Sequence, residues 1–211
     1  MKSGGILFVF LNLLILSVFS GLSVAVEGEK TDFKAQQEKL AMEWRKERDE
    51  FFKSHQRSPL TPKEKRVFKG LKYYAFDSKY VFSGEIKRTI LNINNPDYYA
   101  TFLTNKGTNK RYTRYGKFHF QLNGKEYVLG IYKSILSDIL FIPFKDRTSG
   151  KETYEGGRYI DAEILPGYQM TLDFNMSYNP SCAYNDKFIC VLPPRENMME
   201  IKIRAGEKNY R

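Results

Sequence analysis

The stretch Lys117-Phe-His-Phe-Gln-Leu122, then Asn123-Gly124, then Lys125-Glu-Tyr-Val-Leu-Gly-Ile-Tyr132 decides the class of fold. Asn-Gly readily supplies the two positive φ values of a type I′ turn. The flanking runs are rich in aromatic and branched residues, so the segment reads as an antiparallel hairpin. Working outward, further short runs of Tyr, Phe, Val, Ile and Thr are separated by turn residues. They predict strands at 71–76, 79–86, 89–93, 98–104 and 110–115 before the hairpin, and at 138–143, 158–164, 168–174 and 199–204 after it. No helical pattern of about 10 to 15 residues separates these runs, so the sheet should be mainly antiparallel, a barrel or a sandwich.

The chain before residue 70 has another texture. Between Thr31 and Ser54, Phe33, Gln37, Leu40, Trp44 and Phe51 recur at intervals of three, four or seven residues, which predicts one amphipathic helix with its apolar stripe docked on the body. Thr61, Pro62 and Glu64 then supply an N-cap, a first-turn proline and a capping box for a short helix that Gly70 stops. The expected fold is therefore α+β, with two N-terminal helices at 26–70 and a β-rich body at 71–211 forming one domain. With 211 residues, 42% hydrophobic and 15% aromatic, the chain is too apolar to be disordered and long enough to bury a full core.

Lys2, an uncharged apolar run from Ile6 to Phe19 and the small residues up to Ser23-Val24-Ala25 match a secretory signal peptide with cleavage after Ala25. The run is shorter than a membrane span needs, so no stable span is expected after cleavage, and the product should be periplasmic or secreted. Segment 1–25 carries one Lys and no acid, so its loss takes the formal charge from +10 to +9. Export would bring Cys182 and Cys190 into an oxidising compartment, which predicts a disulfide closing a short loop. With only His55 and His119 besides, no metal-ligand spacing is present and no metal is expected. Cys182 as a nucleophile would need a base such as His119 or His55.

Two stretches are richer in polar, aromatic and glycine residues than a plain β-protein needs. One runs from Asp146 to Asp161, D-R-T-S-G-K-E-T-Y-E-G-G-R-Y-I-D; the other from Leu172 to Asn185, L-D-F-N-M-S-Y-N-P-S-C-A-Y-N, continuing to Asn197. With Ser58-Pro59-Leu60, Phe68-Lys69-Gly70-Leu71 and the closing I-R-A-G-E-K of 203–208, these motifs make the chain closely resemble the bacterial family called domain of unknown function 1684. The resemblance covers about Trp44 to Lys208 and departs at Val191, where the family is commonly similar to Cys-Pro-Leu-Pro-Pro. It implies no reaction, because the family has no established activity to carry over.

The residues themselves offer more. Gly156-Gly157 before Arg158, with Thr148, Ser149 and Thr153 nearby, can hold a carboxylate or phosphate; alternatively the glycines make a turn and Arg158 pairs with Asp146 or Asp173. Tyr154, Asn175, Tyr178, Asn179 and Asn197 add amides and phenols that either line a polar pocket or satisfy loop backbone. Asp146 and Asp173 are the two carboxylates available as an acid/base pair. Lys110 to Lys117 interleaves bases and aromatics, but outside the cell an anionic polysaccharide or envelope suits it better than nucleic acid, and a solvated hairpin face is the plainer reading. There is no G-x-S-x-G, H-E-x-x-H, P-loop or G-x-G-x-x-G, so no nucleotide or other cofactor is expected. Three functional readings follow: a cell-envelope module binding a small anionic or carbohydrate-like ligand, an extracytoplasmic hydrolase using Asp146 or Asp173 with Arg158, and motifs that only build the fold. Oligomeric state is not legible.

Overall fold

The computed structural model describes residues 11–134 and 137–210, with side chains from residue 32 onward, so the predicted signal segment 1–25 lies outside the described side chains. The chain divides into two compact units, residues 1–40 and 41–211. Helix α1 is Leu11–Ser54, and α2, Pro62–Val67, carries the expected capping box: Thr61 accepts from the Glu64 N–H while the Glu64 carboxylate accepts from the Thr61 N–H. Among the described residues no helix is long and apolar enough to cross a membrane. In the first unit Phe33 and Leu40 are exposed; in the second, α1 buries Ala41, Arg45 and Phe52 rather than the Phe51 that the periodicity selected.

Eight strands follow: β1 Val81–Glu85, β2 Lys87–Arg88, β3 Tyr99–Leu103, β4 Asn109–Leu122, β5 Lys125–Lys133, β6 Leu140–Phe144, β7 Arg158–Ala162 and β8 Gln169–Asp173. The Asn123-Gly124 hairpin forms as read, both residues at positive φ, and β4–β5 runs in register from Leu122↔Lys125 outward. A bulge between Arg114 and Gly116 lets one long β4 replace the two strands expected at 110–115 and 117–122. β3 pairs with the first part of β4 and β2 with the last part, so both lie along the same edge.

The order β2-β4-β5-β6-β7, with β3 on β4, makes a six-stranded antiparallel sheet; β1 and β8 form a separate two-stranded sheet. Neither closes, which corrects the barrel alternative. Both contribute to one core, where Phe118, Leu129, Ile142 and Ile160 meet Met170, Leu172 and Phe174. Two predicted strands are not strands. Residues 89–92 are irregular and a turn begins at Ile93, which leaves Ile90 and Ile93 exposed. Residues 199–204 alternate buried with exposed, as a strand would, yet bend at Glu200 and Ile201 and form no ladder; the Ile203 backbone groups bond to side chains instead. Of 71–76 only a single bridge, Tyr73 to Glu207, remains.

Candidate functional site

Arg158 opens β7 and is fully buried. One terminal nitrogen donates to the carbonyls of Ala205 and Glu207; the other donates to the Ile203 carbonyl at 2.9 Å and to Asp146 Oδ1 at 3.4 Å. Asp146 also accepts from the Ile203 N–H at 2.7 Å and from the Thr148 hydroxyl at 2.9 Å, and Thr148 meets Thr153 at 2.8 Å. A guanidinium and a carboxylate thus hold the extended C-terminal segment as a neighbouring strand would. Burial pushes the Arg158 pKa down and Asp146 opposes that shift.

The glycines before it serve packing. A Cβ on Gly156 would stand 2.5 Å from the Tyr154 ring, and one on Gly157, at φ +89°, would stand 2.6 Å from the Phe144 carbonyl oxygen. Asn197 sits where β5 and β6 separate, exchanging hydrogen bonds with both backbone groups of Gly130 and donating to the Pro143 carbonyl. Asn175 exchanges bonds with the Asp77 backbone and donates to Asp173 Oδ1 at 2.8 Å. Asp173 Oδ2 is buried without a partner, and burial raises this carboxyl pKa against the opposing Asn175 bonds.

Asn179 belongs to a second buried cluster. Its N–H and Nδ2 donate to the Glu207 carboxylate, which also accepts from Tyr184 and from Arg48 at 3.3 Å. Burial alone would lower the Arg48 pKa, but Glu207 and Tyr184 outweigh it and hold the guanidinium charged. Burial likewise raises Glu207 while Arg48 and Tyr184 oppose it. The two directions pull against each other; four donors converging on one carboxylate favour the ionised form.

Above this cluster lies an open cleft of about 290 Å³. Tyr112, Phe141, Tyr159 and Tyr178 form an aromatic wall, with successive ring centroids 5.2, 4.8 and 5.8 Å apart. Arg48 lies 4.5 Å over the Tyr178 ring, and Lys110 stands at the edge, bonded to the Ile189 carbonyl and to no carboxylate among the described residues. Two buried polar atoms of lining residues, Arg48 Nε and Asn179 Oδ1, have no protein partner. The Tyr178 hydroxyl donates to Asp161 at 2.8 Å. Asp161 is open to solvent but crowded by surrounding groups, and that crowding raises its carboxyl pKa against the Tyr178 bond.

Cys190 lines the same cleft, and Cys182 is its neighbour. They are free thiols, not the predicted disulfide. Closeness in sequence and an oxidising compartment do not fix the sulfur geometry a bridge needs. Here the Cys182 N–H donates to Cys190 Sγ at 3.3 Å, and the Tyr154 hydroxyl meets Cys182 Sγ at 3.6 Å. The hydrogen bond from Cys190 lowers the Cys182 thiol to about 7; burial opposes this and Tyr154 adds to it, while Cys190 is raised in turn.

A family model described as a protein of unknown function, DUF1684, matches residues 66–208. The chain belongs to the DUF1684 family. The match takes in the Arg158 network, Asn197, the thiol pair and most of the cleft, but not Arg48. The solution NMR structure of an uncharacterised protein from Haloarcula marismortui is similar at 31% identity and a TM-score of 0.64, over 86% of this chain and 97% of that one. No curated protein matches.

In this DUF1684 chain the predicted site residues fall into separate places. Asp146, Thr148 and Arg158 share one buried network, Asp173 and Asn175 another, and Asn197 wedges the sheet; none of these six lines the cleft. Tyr178 and Asn179 do, and Tyr154 stands beside the thiols. Sequence reading missed Arg48, Phe141 and Tyr159. The mixture of bases and aromatics at 110–117 pointed at Lys110 and Tyr112, but nothing in the spacing linked them to α1.

Proposed function

We propose that this protein is a binding module for a small anionic, sugar-like ligand held in the cleft. The observation that carries the proposal is the aromatic wall of Tyr112, Phe141, Tyr159 and Tyr178 beside Lys110, a cation with no carboxylate partner among the described residues. The aromatic wall offers a face to a ring, Lys110 adds charge at the mouth, and about 290 Å³ suits a single ring with one acidic substituent. Asp146 and Asp173 are buried outside the cleft and belong to separate networks, so binding is a better fit than hydrolysis by that pair.

The test is a thermal-shift panel of monosaccharides, uronic acids, sugar phosphates and aromatic acids on the intact chain. An acid-bearing ring should raise Tm in proportion to its concentration, and Lys110→Ala should weaken the effect without changing the apo Tm. A flat response across the panel from a cooperatively melting protein would refute the reading. The N-terminal pattern supports export as part of the same proposal: protein recovered outside the cytoplasm should begin at Val26, and an intact Met1 there would count against it.

A further inference from the structure

We propose that Cys182 is a nucleophile for activated acyl groups, assisted by Cys190 and Tyr154. The site comprises two reduced sulfurs and a phenol in contact, beside a cleft that one of those sulfurs lines. Cys182 is half-buried. Tyr154 keeps its proton, since burial and its contact with Cys182 both raise the phenol pKa, so it acts as donor to the thiolate. Gly156 is what lets the ring take this position, because a Cβ there would stand against it at 2.5 Å. The histidines that a cysteine nucleophile would ordinarily need are replaced by these two donors: His119 bonds Glu126 and His55 stacks on Phe51.

In the reaction the Cys182 thiolate adds to the carbonyl carbon of an ester or thioester. The C–S bond forms, the bond to the leaving oxygen or sulfur breaks, and the leaving group takes the proton of the Cys190 S–H. The products are an S-acyl Cys182, a released alcohol or thiol and a Cys190 thiolate that regains its proton from water, with no oxidant or reductant required. The cleft enters only as the place for the body of the acyl donor, so this inference and the ligand proposal can fail separately.

The experiment uses the full, reduced chain with two probes that need no cleft ligand. With p-nitrophenyl acetate, a stoichiometric burst of nitrophenolate should leave one acetyl group, located at Cys182 by peptide mass spectrometry. With iodoacetamide at pH 6, Cys182 should react about five- to tenfold faster than N-acetylcysteine, the gain in thiolate fraction outweighing the lower intrinsic nucleophilicity. Tyr154→Phe and Gly156→Ala should each move the pH midpoint of labelling upward, a readout that simple loss of packing would not produce. Cys182→Ala should abolish the burst while still melting cooperatively; if it does not fold, the wild-type pH profile decides alone. Labelling no faster than N-acetylcysteine, or an unchanged midpoint in Tyr154→Phe, would overturn the proposal.

Discussion

Arg158 shows how one side chain can do the work of an edge. Its terminal nitrogens reach the carbonyls of Ile203, Ala205 and Glu207, in a segment that bends at Gly206 (φ +73°), while Asp146 takes the Ile203 N–H. Replacing it with alanine would strip partners from those carbonyls and leave Asp146 buried without its ion pair. Arg158→Ala should therefore cost about 3–5 kcal/mol in urea denaturation. A cost below about 1 kcal/mol would mean that the network is not holding the segment. Asp173 gives the opposite case. Burial raises its folded pKa above the ordinary 3.8, so whatever stability it contributes is present below that value and is lost as pH rises through the folded pKa. Asp173→Asn should thus raise Tm at pH 7, and the gain should fade toward pH 3. The alternative in which Arg158 pairs with Asp146 was readable from composition, since buried arginines need partners. That Asp173 would go to Asn175 instead was not readable, because sequence gives no distances.

At the level of elements, local chemistry was legible and its competition with side chains was not. The Asn123-Gly124 turn and the Thr61 to Glu64 capping box formed where short-range rules put them. Thr61→Ala should cost about 1 kcal/mol by chemical denaturation, reflecting a lost cap on a six-residue helix; no loss would show that α2 is held by packing alone. Residues 199–204 had the alternation of a strand and keep the matching burial, but Lys145 and Arg147 pair only with residues 197–201; Asp146 and Arg158 hold Ile203 and Ala205, and backbone bonds to residues 72–74 and Ser177 resume at 206–208. A pattern with period two reports which face is buried and is silent on whether the hydrogen-bond partner is a backbone or a side chain.

Across the whole molecule, an open six-stranded sheet and the β1–β8 pair enclose one core, and the Arg158 network lies inside that body rather than at its surface. The polar motif residues that looked most like a site are mostly sealed, whereas the open cleft draws on Arg48 from α1, Lys110 and Tyr112 from β4, Phe141 from β6, Tyr159 from β7 and the 178–191 loop. Those residues are scattered over more than half the chain, so only the folded topology assembles them. Acid should act at the surface too: Arg204 holds the Glu152 carboxyl below its ordinary 4.5, with Tyr74 assisting. That pair contributes stability above pH 4.5 and loses it as pH falls through the lowered pKa, so Glu152→Gln should flatten the acid limb of the Tm profile.

Buried side chains, in place of backbone partners, fasten Ile203 and Ala205 between the backbone bonds that hold residues 197–201 and 206–209. Residue-resolved amide hydrogen exchange of the apo protein tests this fastening most directly. The Ile203 amide, donated to Asp146, should exchange only through global unfolding, with the same free energy as Ile131 in β5. Exchange of Ile203 at the rate of the irregular 90–92 stretch, with Ile131 still protected, would show that the segment opens freely and that Asp146 and Arg158 do not hold it.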